Sequence, residues 1–253
     1  MPNVESHAPG SFCWIELATT DAPAARDFYT KLFGWTVQEN PMGELGIYYI
    51  YKKNDRSSAA MYQMGPDMQG IPPNWMSYVA TSNASDSVAK AKELGANVIM
   101  DAFDVQDFGR MAVLTDPQGA AFSLWEPKTN IGIEVRDEAN TLCWNELSAR
   151  DMDAAKKFYP ALFGWRMKES PEYTEWHLGE HAVGGMLQSQ SPEGVPSFWM
   201  PYFAVEDCDA AVESVKLLGG SVHVPAMDIP NVGRFAVVTD PQGAWFSVIR
   251  LAM

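Results

Sequence analysis

The chain says nearly everything twice. "CWIEL" at 13–17 returns as "CWNEL" at 143–147, and "LFGW" at 32–35 returns unchanged at 162–165, both 130 residues later. Further along, "WMSYV" at 75 pairs with "WMPYF" at 199, "FDVQDFGR" at 103 with "MDIPNVGR" at 227, and "DPQGA" at 116 with "DPQGA" at 240, now 124 residues apart. The second copy is therefore six residues shorter between its LFGW and its next tryptophan, which fits a trimmed hairpin loop better than a lost strand. Two related units of about 125 residues each follow, with boundaries at 1–128 and 140–253 and a linker over 129–139.

Each copy divides again when its periodicity is read. "CWIELATT" has strand character, and Asp21 is placed to cap a helix in which Ala25, Phe28, Tyr29 and Leu32 recur at i, i+3, i+4 and i+7 before Gly34 ends it. Three short β-prone runs follow near 36–39, 46–52 and 58–64, separated by turn-forming residues. Then the pattern restarts with strand "WMSYVATS", a helix over "SDSVAKAKELG" closed by Gly95, and strands near 97–103, 110–115 and 120–125. One copy holds two βαβββ units and the chain holds four, an α+β architecture. Helical spacing assigns Phe28, Tyr29 and their counterparts Phe158 and Tyr159 to the core. Pro160 is expected to kink the second copy's helix, where the first copy has Thr30. "DPQG" reads as a β-turn without chemistry.

The run D-x-x-A-A-x-x-F-Y-x-x-L-F-G-W, followed at the end of each copy by G-R-x-A-V-x-T-D-P-Q-G-A-x-F-S, resembles the vicinal oxygen chelate superfamily over nearly the whole chain. That superfamily includes glyoxalase I, bleomycin resistance proteins and extradiol dioxygenases. The resemblance implies two glyoxalase-like domains whose mixed sheets curl around open cavities, with helices outside. Its enzymes hold a divalent metal through His, Gln or Glu on the cavity strands. Carried onto this sequence, the first-strand ligand position falls on Trp14 and Trp144, the last-strand position on Ser123 and Ser247, and the middle one at or beside Met76 and Met200. Indoles and neutral hydroxyls are poor ligands for a divalent ion, and His7, His177, His181 and His223 all fall elsewhere. No metal site and no cofactor are expected; a divalent metal held by carboxylates such as Glu16 and Glu146 is the alternative.

Strand alternation indicates what replaces the metal. Cys13, Ile15 and Leu17 share the face toward the helix, while Trp14 and Glu16 face inward, as do Trp144 and Glu146. On the closing strands Ser123 and Trp125, and Trp245 and Ser247, are the inward sets. Tryptophans bury area equally well as cavity lining or as plugs, so both readings of Trp14 and Trp144 stand. A carboxylate aimed into a dry cleft is costly unless paired or used, which makes Glu16 and Glu146 candidate catalytic residues, with a buried salt bridge as the plain alternative. Arg110 and Arg234 are candidate counter-charges or clamps for a substrate carboxylate, or structural. Trp75 and Trp199 are candidates for ligand contact or for packing between units.

With 32 acidic and 18 basic side chains, the chain carries a formal charge of −14, which repels nucleic acid and anionic membrane surfaces. The first residues lack a secretory pattern, and the odd count of three cysteines suits a reducing compartment, so a cytoplasmic protein is expected. A tandem chain can complete its cavities internally, so a monomer is the default and a homodimer the alternative. Three functions remain open: a protein that binds a small, partly aromatic molecule in a metal-free cavity; a metal-independent enzyme with Glu16 or Glu146 as general base; and a metal-dependent lyase, isomerase or dioxygenase with carboxylate ligands.

Overall fold

A computed structural model describes residues 3–252. The first copy forms β1 (Phe12–Thr19), α1 (Ala22–Phe33), β2 (Thr36–Pro41), β3 (Ile47–Lys53), β4 (Arg56–Gln63), β5 (Asn74–Ala80), α2 (Ala84–Glu93), β6 (Asn97–Val105), β7 (Gly109–Thr115) and β8 (Ala121–Pro127). The second repeats the order with β9 (Leu142–Ala149), α3 (Met152–Phe163), β10 (Arg166–Glu169), β11 (Tyr173–Leu178), β12 (His181–Gln188), β13 (Phe198–Ala204), α4 (Cys208–Leu217), β14 (Ser221–Ile229), β15 (Gly233–Thr239) and β16 (Trp245–Leu251). These are the four βαβββ units. Asp21 caps α1 by accepting from the Ala24 amide at 3.0 Å, and Gly34 ends the helix at φ 68°. Helix α3 continues through Pro160 over the same twelve residues as α1.

The curled sheets implied by the resemblance are corrected. Each copy is an open eight-stranded sheet, in the order β2-β3-β4-β1-β5-β8-β7-β6 and its counterpart β10-β11-β12-β9-β13-β16-β15-β14. The two units of a copy meet along the antiparallel β1–β5 pair, and each ends in an edge strand that, among the described residues, has no hydrogen-bonded neighbour beyond it. Those edges are unsuited to joining: β2 is largely exposed and ends at Pro41, and two register shifts interrupt the pairing of β6. Any cavity is therefore a recess on one face of an open sheet.

All four helices lie on the sheet faces turned away from that recess, α1 beside α4 and α2 beside α3, and their apolar residues merge with the other copy's into common cores. Reciprocal hydrogen bonds pin the copies together. Tyr29 Oη donates to Asp240 in the second copy's DPQG turn at 3.0 Å, and Tyr159 Oη donates to Asp116 in the first copy's at 3.0 Å. Behind them Trp75 Nε1 donates to Tyr29 and Trp199 Nε1 to Tyr159. The LFGW tryptophans cross in the same way, Trp35 Nε1 to the Asn140 carbonyl and Trp165 Nε1 to the Gly10 carbonyl, both at 2.7 Å. One contact breaks the pseudo-symmetry: Ser77 Oγ donates to the buried Asn145 side chain at 2.7 Å, whereas the equivalent positions are Ile15 and Pro201.

Candidate functional site

Alternation along β1 aims Glu16 into the recess, and the strands on either side bring a tyrosine to each of its oxygens. Tyr48 Oη, from β3, donates to Oε1 at 2.5 Å, and Tyr78 Oη, from β5, donates to Oε2 at 2.7 Å. Trp14 Nε1 donates in turn to Tyr48 Oη at 3.2 Å. The second copy repeats the network: Tyr173 and Tyr202 donate to Glu146 at 2.9 and 2.6 Å, and Trp144 Nε1 donates to Tyr173 at 2.8 Å. Gly185 makes room for it, since a Cβ there would lie 2.1 Å from Tyr173 Oη. The repeated Trp and Glu of the opening motif thus belong to one Trp–Tyr–Glu–Tyr chain, linked to each other through the first tyrosine.

Burial raises the pKa of Glu16 and of Glu146, and the tyrosine hydrogen bonds offset part of that rise. Their own burial, and after it the neighbouring Glu16 charge, push Tyr48 and Tyr78 well above the ordinary phenol range and hold them as donors. A raised native pKa means that the folded protein binds the proton more tightly than the unfolded chain. The stability contributed is fully present below about pH 4.5 and is lost as pH rises through the raised native values. A Glu16→Gln, Glu146→Gln double variant is expected to lose less stability than the wild type between pH 4.5 and neutrality, as read by urea unfolding across that range. Equal slopes would place the titrating burden elsewhere.

Although both copies carry the network, a large cavity of about 510 Å³ is lined by the first. Trp14, Tyr48, Tyr78 and Trp125 form its inner walls, and Phe103 and Phe108, 38% and 42% exposed, flank its mouth. Asn40, Pro41 and Met42, in and after β2, add a wall that the shorter second copy lacks. The linker supplies another: Trp125 Nε1 donates to the Asn130 carbonyl at 2.9 Å, and Gly132, at φ +101°, lies so close to β1 that a Cβ would sit 2.1 Å from the Cys13 carbonyl oxygen. On the second sheet the same face is packed by Cys143, Met200, Tyr202, Val237 and Ile249, with Phe235 and Trp144 against them. Phe235 stands where the first copy has Met111, and Ile249 where it has Trp125.

The remaining sequence candidates go elsewhere. Trp75 and Trp199 point into the core between the copies and bond Tyr29 and Tyr159. Arg110 pairs with Asp104 and donates to the Ala102 carbonyl, and Arg234 grips Asp209 through Nε and Nη2 at 2.8 and 2.9 Å; neither lines the cavity. Ser123 is fully buried with no hydrogen-bond partner among the described residues, while Ser247 lies 3.5 Å from the Met200 sulfur. Trp245 is 45% exposed and stacks on His223 with ring centroids 3.9 Å apart. Cys143, the counterpart of Cys13, packs with the inner-face residues because a register shift in the β9–β13 pairing breaks strict alternation. Sequence reading found the strands of the β2 hairpin and the linker but not their place in the cavity wall, and it missed the four tyrosines as partners of Glu16 and Glu146.

The divalent ion implied by the superfamily does not fit these residues. Trp14, Trp144, Ser123 and Ser247 occupy the ligand positions, and among the described residues no group of three or more His, Cys, Asp or Glu is placed to hold a metal. No described helix is long and apolar enough to cross a membrane.

Family comparison agrees with this architecture. A model of a glyoxalase-like domain matches residues 14–125, and the model of the Glyoxalase/Bleomycin resistance protein/Dioxygenase superfamily matches 141–248. A relative from Mycobacterium tuberculosis, described as "Putative glyoxylase CFP32", is 41% identical across 100% of this chain and 99% of its own. The chain belongs to the glyoxalase/bleomycin resistance protein/dioxygenase superfamily. Another superfamily relative, the anthracycline biosynthesis protein DnrV of Streptomyces peucetius, is 36% identical across 96% of this chain and 94% of its own. The Mn(II)-bound glyoxalase from Novosphingobium aromaticivorans shares the fold, with a TM-score of 0.67 at 14% identity over 96% of this chain and 82% of that one. The 2,3-dioxygenase LapB from Pseudomonas sp. KL28 superposes with a TM-score of 0.66 at 13% identity, over 97% and 94% of the two chains.

Proposed function

We propose that this protein binds a small, partly aromatic molecule in the first-domain cavity without a metal, and that the second domain serves as its scaffold. The carrying observation is a recess of about 510 Å³ walled by indole, phenol and phenyl rings, with one carboxylate on its floor. That size and lining suit a single small organic molecule. Two relatives are named for anthracycline biosynthesis, and anthracyclines are fused-ring aromatic compounds, the shape that flat aromatic walls accept. The cavity is built within one chain, so a monomer suffices.

A metal-independent enzyme with Glu16 as general base is the second reading, favoured by the burial that raises its pKa. Both Glu16 oxygens already accept a hydrogen bond from a phenol hydroxyl, which suits an anchor better than a base.

Intrinsic tryptophan fluorescence, titrated with a library of small aromatic compounds, tests binding because Trp14 and Trp125 line the cavity. Met111→Phe, which installs the residue found at the equivalent place in the second copy, is expected to weaken any hit by about tenfold or more while the chain stays folded by circular dichroism. A hit whose affinity ignores Met111→Phe binds elsewhere and overturns the assignment.

A further inference from the structure

We propose, building on the binding role above, that the molecule taken by the first-domain cavity carries a cationic nitrogen, an ammonium or alkylated ammonium group joined to its aromatic body. Three features of the cavity converge on that class. First, six aromatic rings surround it: Trp14, Tyr48, Tyr78, Trp125, Phe103 and Phe108. The faces of such rings are electron-rich and attract a cation, most strongly where water is excluded.

Second, the charge is one-sided. Glu16 is the carboxylate among the lining residues, and no Lys, Arg or His joins it there among the described residues. The other polar side chains on the walls are the neutral amides of Gln38, Asn40, Gln106 and Asn130. Tyrosines are what face Glu16 from neighbouring strands: Tyr48 on β3, Tyr78 on β5, and Tyr62 on β4, which burial and then the carboxylate's charge push up to about 12. A carboxylate offers roughly four acceptor sites, so two phenol bonds leave about half of them for a ligand donor. An anionic ligand would meet this group with nothing to neutralise it.

Third, the two copies differ at the wall in a telling way. In the second sheet Lys168 stands opposite Glu175 and the two side chains form an ion pair at 3.2 Å. The same cross-strand pair in the first sheet is Gln38 opposite Ile50, both lining the cavity. The first copy therefore lacks the lysine at that position and leaves Glu16 as the charge the cavity presents. The net charge of −14 on the whole chain adds a long-range field of the same sign.

Isothermal titration calorimetry with three probes of one shape tests this: 1-naphthylmethylamine, 1-naphthylmethanol and 1-naphthoic acid, which at neutral pH are cationic, neutral and anionic. The amine is expected to bind about tenfold or more tightly than the alcohol, and the acid most weakly. Glu16→Gln, which keeps the shape and removes the charge, is expected to cut amine affinity by about tenfold and leave the alcohol within about twofold. Trp125→Leu, outside the Glu16 network, is expected to weaken the amine more than the alcohol. Equal affinities for amine and alcohol, or an amine preference that survives both variants, would overturn the cationic class while leaving the cavity as a binding site. Failure of all three probes to bind would overturn the cavity reading as well.

Discussion

Asp116→Ala is expected to destabilise the protein by about 3–5 kcal/mol, although this aspartate sits in a turn that is not part of the cavity lining. Asp116 is buried, its Oδ1 accepts the Gln118 and Ala120 amides at 2.8 and 2.9 Å, and its Oδ2 accepts Tyr159 Oη from the other copy. Alanine would strand three donors at once, two of them buried and the Gln118 amide partly so, and each unpaired buried group costs about 1–3 kcal/mol. Tyr159→Phe removes one donor to Asp116 and the acceptor of Trp199, so its cost is expected to be smaller, about 1–3 kcal/mol. The two changes share one hydrogen bond and should fail to add, with a coupling of about 1–2 kcal/mol in a double-mutant cycle from urea unfolding. Strict additivity would mean that the turn and the helix do not support each other.

Trp165→Ala is expected to cost a further-reaching 3–5 kcal/mol, roughly, and to lower the Tm by about 10 °C. The ring is buried among Phe12, Tyr159 and Trp176, and its Nε1 bonds the Gly10 carbonyl of the first copy. Trp165→Phe retains much of the packing and loses that bond, so about 1–2 kcal/mol is expected. Because the indole spans the junction, amide exchange should speed up in β1 as well as in β9. Acceleration confined to the second copy would show that the tryptophan supports its own sheet alone. Trp35→Ala is expected to give the mirror result through Asn140.

The duplication, the four βαβββ units and the helix faces were legible because each follows from periodicity or repetition within a short window. Sheet curvature was not, because it depends on how edge strands end, and the exposed β2 and β6 edges leave no mark that a strand pattern reveals. Alternation placed Trp14, Glu16, Trp144 and Glu146 on the inward face, which is where their side chains lie. Their tyrosine partners were also in plain view: Tyr78 and Tyr202 are the fourth residues of the repeated "WMSYV" and "WMPYF". Tyr48 and Tyr173 were harder, since the trimmed hairpin falls before them and shifts their spacing to 125. The DPQG aspartates were read as turn residues, and they are; their second task, receiving a tyrosine from the opposite copy, links residues 43 positions apart in one case and 211 in the other, beyond any local pattern. Trp75, Arg110 and Arg234 illustrate the opposite limit: conspicuous residues whose partners lie on the far face or at the surface.

A clasp in which each half holds the other by the same grip has an evolutionary corollary. Drift in a helix tyrosine or a turn aspartate loosens both halves together, so the gripping surfaces are yoked and resist change. The opposite faces answer to no such bond: one twin was at liberty to fill in with Phe235 and Ile249, while its sibling, with the longer hairpin and roofed by the tether between them, stayed hollow.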